Sequence, residues 1–260
     1  MVTGTRQPQT GHRPGPQVGT RRDRHRAQTM AEIKAAARQQ VVSHGPGGIQ
    51  VRAVAREVGL TAPALYRYFP SLDDLVVGLT VDLYDELTAA LTRARDADPE
   101  ADAFTRMLSS SRAFREWAVS NRQEFGLLFA TPQASFDHYP DTPCEEASGQ
   151  FGNVFAELFL EIWDKHPFEV EPAESLAPGM VEGLTPYWNW LTNSVAPNIP
   201  MGAVVVFLEG WIRLYGTVAM EVSGHLSWAM PDGAAMFEQS LRSLAASVHR
   251  LDMYHPLPSS

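Results

Sequence analysis

The run Ile49 to Leu75, IQVRAVAREVGLTAPALYRYFPSLDDL, constrains the fold more than any other part of the sequence. Val51, Val54, Ala55 and Val58 fall at i, i+3, i+4 and i+7, a narrow apolar stripe of helical period. Gly59 stops that helix, because glycine takes the left-handed conformation past a helix end without a steric penalty. Thr61 is a natural N-cap for a second, short helix from Ala62 to Tyr68. Pro63 sits in its first turn, where a missing N–H costs least. Pro70 closes it, and Ser71 opens a further helix with Asp74 three residues on as a partner in the manner of a capping box. Two helices joined by a tight glycine turn, the second presenting small and hydrogen-bonding side chains, predict a helix-turn-helix.

The segment GLTAPALYRYFPSLDDL resembles the signature of the TetR family of regulators, in which a glycine, a small capping residue and a tyrosine-rich run precede a long connecting helix. The likeness covers about Met30 to Leu91 and rests on the spacing together with Tyr66, Tyr68 and Phe69. It implies an all-α chain: an N-terminal three-helix helix-turn-helix domain followed by a C-terminal helical domain that binds a ligand and dimerises. It also implies that Gln50, Arg52, Thr61, Ala62, Pro63, Ala64, Tyr66, Arg67 and Tyr68 meet DNA. Elementary chemistry agrees with the likeness. A helix that enters the major groove needs small residues where its backbone approaches and polar tips where phosphates lie. Leu65 and Phe69 are expected to point away and pack the small core. The family often carries a lysine after the serine that opens the fourth helix; here Leu72 stands in its place, and an arginine-rich arm could supply the missing phosphate contact.

Charge supports the same end of the chain. Up to Leu72 there are eleven Lys and Arg against three acids, a balance of +8, whereas the remainder carries ten basic and 27 acidic residues, a balance of −17. A basic end on an acidic body is the pattern of a polyanion-binding module attached to a part that does not bind. With 44% apolar residues the 260-residue chain can build a sizeable core. The longest apolar run, Ala203 to Leu208, falls far short of the roughly 20 residues of a membrane span, so no membrane partner is expected. Residues 1–27 lack the apolar centre of a secretory signal. A cytoplasmic protein is the expectation, and the single cysteine, Cys144, fits it.

Four segments follow from composition and period. Residues 1–27 read as a flexible Arg/Gly/Pro-rich arm: a source of phosphate or minor-groove contacts, a poorly structured tail, or a stretch ahead of a true start at Met30. Residues 28–76 form the helix-turn-helix domain, 77–254 a helical regulatory and dimerisation domain, and 255–260 a tail. The first helix runs from Thr29 or Met30 to Ser43 with Ile33, Ala36, Ala37 and Val41 inward, and His44 to Gly48 is a connector rather than a phosphate loop. The fourth helix runs from Leu72 to about Arg95, burying Leu75, Leu79, Leu83 and Leu87 while Asp82, Asp85 and Glu86 look outward.

Beyond Ala103 the pattern is helical throughout. Phe104 to Trp117, Glu124 to Phe129 and Phe151 to Ile162 are three helices, separated and followed by proline-bearing irregular segments, Thr131 to Pro143 and His166 to Leu184. Ala203 to Leu226 is apolar on nearly every side, and Asp232 to Leu251 carries Phe237, Leu241, Leu244, Val248 and Leu251 at spacings of 4, 3, 4 and 3, a helix-packing seam. The segment GWIRLYGTVAMEVSGHL, Gly210 to Leu226, is similar to the C-terminal segment of a TetR subgroup. The implied interface is a four-helix one with a second copy, through Leu214, Val218, Phe237, Leu241, Leu244 and Val248.

The acidic half is rich in aromatic rings and poor in cations, which favours a small apolar or aromatic effector over a sugar or phosphate. Candidate lining residues are Trp117, Phe129, Phe155, Phe159, Tyr187, Trp188, Trp190, Trp211 and Tyr215, with Tyr187 to Trp190 lining or covering a pocket. Asp137, His138, Asp141 and Cys144 share one loop, but their spacing fits no common zinc pattern, so neither a metal nor a cofactor is expected. Glu145 and Glu146 should raise the Cys144 pKa, the opposite of what a redox sensor needs. No catalytic constellation is present. The sequence therefore predicts a DNA-binding regulator, a repressor released from a palindromic operator by its ligand; the alternative is a helical carrier or enzyme with a vestigial DNA-binding end.

Overall fold

The computed structural model describes residues 20–130 and 142–256, and among them every regular element is helical. Ten α-helices follow in order: α1 Arg21–His44, α2 Val51–Glu57, α3 Ala62–Leu65, α4 Leu72–Arg95, α5 Ala103–Ser120, α6 Arg122–Phe125, α7 Pro143–Lys165, α8 Pro178–Ser194, α9 Met201–Val222 and α10 Ala234–Ser247. A π-helical turn, Gly126–Ala130, extends α6. The chain is all-α, as its apolar periods predicted.

The first three helices close over Ile33, Ala37, Val41, Val54, Leu65 and Phe69. α4 starts where the sequence placed it, with Ser71 Oγ accepting from the Asp74 N–H at 3.0 Å. Leu75, Leu79, Leu83, Leu87 and Leu91 are buried along one face. That face runs the length of the body and packs on α5 and α7. Near its start, α4 is held to α1 by the Lys34–Asp82 and Arg38–Glu86 ion pairs.

Several boundaries differ from the sequence reading. α1 begins at Arg21, eight or nine residues early, because Thr20 and Asp23 form a reciprocal capping box. The last part of the expected arm is thus two turns of helix; residues 1–19 lie outside the described residues. The segment read as irregular up to Leu184 contains α8, which starts at Pro178 and tolerates Pro186 in its interior. Proline was read there as a breaker, although at Pro178 it occupies the helix start that suits it. Finally, α9 starts two residues before the expected Ala203 to Leu226 helix and stops four residues short of its end, just ahead of Gly224, which takes φ +71°. By length and composition α9 could cross a membrane, with a mean hydropathy of 1.4 over its most apolar window. Its inner face packs on α5 and α10. Glu209 and Arg213 are exposed on it, and Glu221 pairs with Arg115.

Candidate nucleic-acid interface and apolar cleft

The turn between α2 and α3 is closed by backbone geometry. Gly59 has φ +68°, and the Leu60 N–H reaches back to the Ala55 carbonyl at 2.8 Å, the closure that favours glycine past a helix end. Thr61 then caps α3, its Oγ1 accepting from the Ala64 N–H at 3.3 Å. The α-helical part of α3 is shorter than expected. At Arg67 and Tyr68 the bonds tighten to i→i−3, Arg67 to Ala64 and Tyr68 to Leu65, before Phe69 also closes on Leu65.

This geometry sorts the expected DNA-facing residues. Gln50, Arg52, Thr61, Pro63, Tyr66 and Arg67 are exposed, and Ala62, Ala64 and Tyr68 are half-buried. Leu65 and Phe69 turn inward and are buried. Tyr66 keeps 45% of its surface in water. Gln50 also has a structural role, since its N–H donates to Gln40 Oε1 at 2.7 Å and ties the start of α2 to α1. Leu72 is exposed.

Electrostatics separates this end from the body. Among the described residues Arg21, Arg22, Arg24, Arg52, Arg56 and Arg67 have no carboxylate partner. In the body most cations are paired, although among the described residues Arg93, Arg213 and Arg242 are not. Arg106 binds Glu161 at 2.6 Å, Arg112 binds Glu238 at 2.9 Å, and Arg95, Arg115, Lys165 and Arg250 are likewise paired. Arg122 spends its guanidinium on the carbonyls that end α9.

The aromatic candidates fall into three groups. Phe155, Phe159 and Trp211 line an apolar cleft with about 70 Å³ of free space, bounded by α5, α7, α9 and α10. Phe129 and Tyr215 belong to the ring cluster behind it, where Phe114 links Trp211, at 5.9 Å between centroids, to Phe125, at 6.1 Å. The Tyr215 hydroxyl donates to the Phe129 carbonyl at 3.1 Å. The remaining four lie elsewhere. Trp117 is packed at the α1–α4–α5 junction, its indole N–H donating to Glu86. Tyr187 stacks on Trp190 and lines a second, smaller cavity of about 20 Å³ with Phe159, Leu191 and Phe207, while Trp188 bonds the Ile199 carbonyl at 2.9 Å. Helical spacing on α8 splits these rings between two faces, so they do not form one wall.

The expected dimer seam is occupied within the protomer. Leu214, Val218, Phe237, Leu241 and Val248 are buried and Leu244 half-buried, because α9 and α10 pack these stripes against α5 and each other. Leu214, Leu244 and Val248 in fact help line the cleft, together with Gly210 and Phe207, which the sequence reading did not single out. The apolar residues that α9 leaves outside are Ile212, 67% exposed, and Met220, one turn either side of Gly216. Cys144 is buried, and burial first, then Glu145, pushes its thiol up to about 11. Asp137, His138 and Asp141 lie outside the described residues.

Comparison with known proteins agrees with the geometry at both ends. Residues 33–79 match the family described as bacterial regulatory proteins, tetR family, and residues 107–244 match the tetracyclin repressor-like C-terminal domain. The HTH-type transcriptional regulator Rv1816 of Mycobacterium tuberculosis is 30% identical over 248 residues, covering 88% of this chain and 95% of the relative. The HTH-type transcriptional regulator Mb1846 of Mycobacterium bovis aligns equally well. Among solved structures, the regulatory protein SCO4313 is 28% identical with a TM-score of 0.62, covering 87% of this chain and all of that one. RolR in complex with resorcinol shares the fold at 14% identity and a TM-score of 0.54, covering 91% of this chain and 98% of its own.

Proposed function

The chain belongs to the TetR family of bacterial transcriptional regulators, and from that premise we propose a homodimeric repressor that binds a palindromic operator in the cytoplasm and is released by a small apolar or aromatic ligand. The observation that carries this reading is the distribution of unpaired arginine. A body that pairs most of its cations leaves those around α3 free, which is an electrostatic cost in the isolated chain and a gain beside phosphate. In this reading Thr61, Ala62, Pro63 and Ala64 allow close backbone approach, Tyr66 and Tyr68 meet phosphate, and Arg52 and Arg67 meet base or phosphate.

Two copies of α3 about 34 Å apart would enter successive major grooves of one DNA face. The second copy is best received by the outer face of α9, where Ile212, Gly216 and Met220 recur every four residues. Gly216 supports this assignment, since nothing within 4 Å occupies the place of its missing Cβ. A mid-helix glycine costs about 1 kcal/mol relative to alanine, and close approach of a partner helix gives it a reason.

Release requires a ligand that prefers a protomer shape with the wrong separation. Reversing a two-state balance takes about 5.5 kcal/mol of differential affinity, within the roughly 8 kcal/mol of a micromolar ligand. The cleft is the site proposed for it. Trp211 on its wall, Phe114 behind it and Phe125 on α6 form a continuous row of rings. Glu124, next in sequence to Phe125, holds Arg38 of α1 at 3.1 Å. A displacement of α6 would therefore be felt by the helix-turn-helix.

A gel shift with DNA from upstream of its own gene tests the proposal. A salt-sensitive, sequence-specific shift that weakens at least tenfold in Tyr66→Ala, with the dimer intact, is expected. No shift on any genomic fragment would leave the alternative, a ligand carrier with a vestigial DNA-binding end.

A further inference from the structure

The first two turns of α1 are unusual for a helix that has to hold itself together. Residues 21–28 are all exposed, and the first buried residue of α1 is Thr29, so these turns gain nothing from the core. They carry Arg21, Arg22, Arg24, His25 and Arg26. Arginines at i, i+3 and i, i+4 repel one another, and cations oppose the positive end of the helix dipole. Only Asp23 counteracts this, and its carboxylate is engaged in the cap with Thr20, at 2.9 Å from the Thr20 N–H.

A second observation says where this charge is delivered. The Arg26 guanidinium donates to the Arg67 carbonyl at 3.3 Å and lies 5.2 Å from the centre of the Tyr68 ring. The exposed start of α1 is thereby fixed against the C-terminal end of α3. Arg22 stands four residues earlier on the stripe that continues through Arg26, Thr29 and Ile33, about 6 Å further along the axis. The fold thus brings a second row of cations beside Arg67, and among the described residues none of Arg21, Arg22, Arg24, Arg26 and Arg67 has a carboxylate partner.

We infer that the first two turns of α1 are a second DNA-contacting element, in which Arg22, flanked by Arg21 and Arg24, lies along the phosphates bordering the groove that α3 enters, while Arg26 is the positioning residue that fixes it there. The inference rests on the reading of α3 as the groove-entering helix. A polyanion relieves the mutual repulsion and the unfavourable dipole together, so the stretch is stabilised by its partner rather than by its own core. It adds affinity rather than base reading, because phosphate contacts carry no direct sequence information.

The test uses the full chain and a mixed-sequence duplex of about 30 base pairs, read by fluorescence anisotropy between about 50 and 200 mM salt. Each phosphate contact contributes about 0.9 to the slope of log affinity against log salt. Arg22→Ala should flatten the slope by about one, and the triple Arg21→Ala/Arg22→Ala/Arg24→Ala variant by two to three, while Arg242→Ala on the exposed face of α10 leaves it unchanged. The free triple variant should melt no lower than the wild type, since repulsion has been removed. An unchanged slope in the triple variant overturns the inference and leaves the role of α3 intact. Failure of the wild type to bind the duplex at any salt overturns both.

Discussion

The indole N–H of Trp117 donates to Glu86 Oε1 at 2.8 Å, and the same carboxylate receives Arg38 of α1 through Oε2 at 2.6 Å. Asn121 completes a ring, donating to the Trp117 carbonyl at 2.8 Å and accepting from Arg38 at 3.2 Å. One side chain from the first helix and one from α5 therefore share a single carboxylate on the connecting helix. This junction joins the two parts of the chain that a regulator must couple.

Trp117→Phe removes one hydrogen bond to a charged acceptor, worth about 1.5–3 kcal/mol, and leaves a small cavity where the larger indole was buried. For a chain of this size that lowers the melting midpoint by several degrees. Affinity for a cleft ligand should stay within about twofold, because Trp117 is not on the cleft wall. A large loss of ligand affinity, measured by calorimetry, would return Trp117 to the ligand site.

The two faces of the last helices make opposite predictions. Leu241 is fully buried. Leu241→Ala should cost about 2–5 kcal/mol of protomer stability through the cavity it leaves. Ile212→Asp should leave the protomer folded and shift sedimentation from dimer to monomer, because a carboxylate would be buried at the proposed contact. Dimer loss in the first variant with a stable protomer would restore the inner seam as the interface.

Trp211 reports on the cleft. A small aromatic such as naphthol should quench wild-type tryptophan fluorescence, and the quench should fall sharply in Trp211→Phe. Gly210→Leu should weaken the binding at least tenfold. A Cβ on Gly210 already meets Leu244 Cδ2 at 3.2 Å, so a larger side chain fills the space. Unchanged quenching in Gly210→Leu would place the ligand elsewhere.

What the sequence revealed follows from what each signal depends on. The α4 boundaries were legible because local chemistry sets them: Ser71 and Asp74 at the start, Asp96 to Pro99 beyond the end. The helix-turn-helix was legible because Gly59 and Thr61 act over two or three residues. The α9–α10 seam was legible as a seam but not as an inner one, since a repeat of 4 and 3 states that a helix packs and is silent about its partner. The start of α8 was missed because Pro178, read as part of a proline-bearing irregular segment, occupies the first turn of the helix. The Arg38–Glu86–Trp117 ring joins residues far apart in the chain, and no spacing rule reaches across 31 residues or more.

Acid should open the same junction. Burial alone would raise the Glu86 carboxyl, but hydrogen bonds from Arg38 and Trp117 outweigh it and hold it below its ordinary value near 4.5. Lys165 and Arg106 lower Glu161, while for Glu238 the bonds from Arg112 and Tyr254 overcome burial. A carboxyl whose folded value lies below its unfolded value contributes stability that is complete above the unfolded value and lost as pH falls through the folded one. Stability should therefore be nearly flat, as far as these groups are concerned, from pH 7 to about 5 and decline below about 4.5. Glu86→Gln should lower stability at neutral pH and make the acid decline shallower, because one titrating partner has been removed. Urea denaturation of both proteins at neutral and acid pH measures this directly. An equally steep decline in the variant would show that Glu86 takes no part in the acid transition and that the loss comes from other carboxylates, such as Glu161 and Glu238.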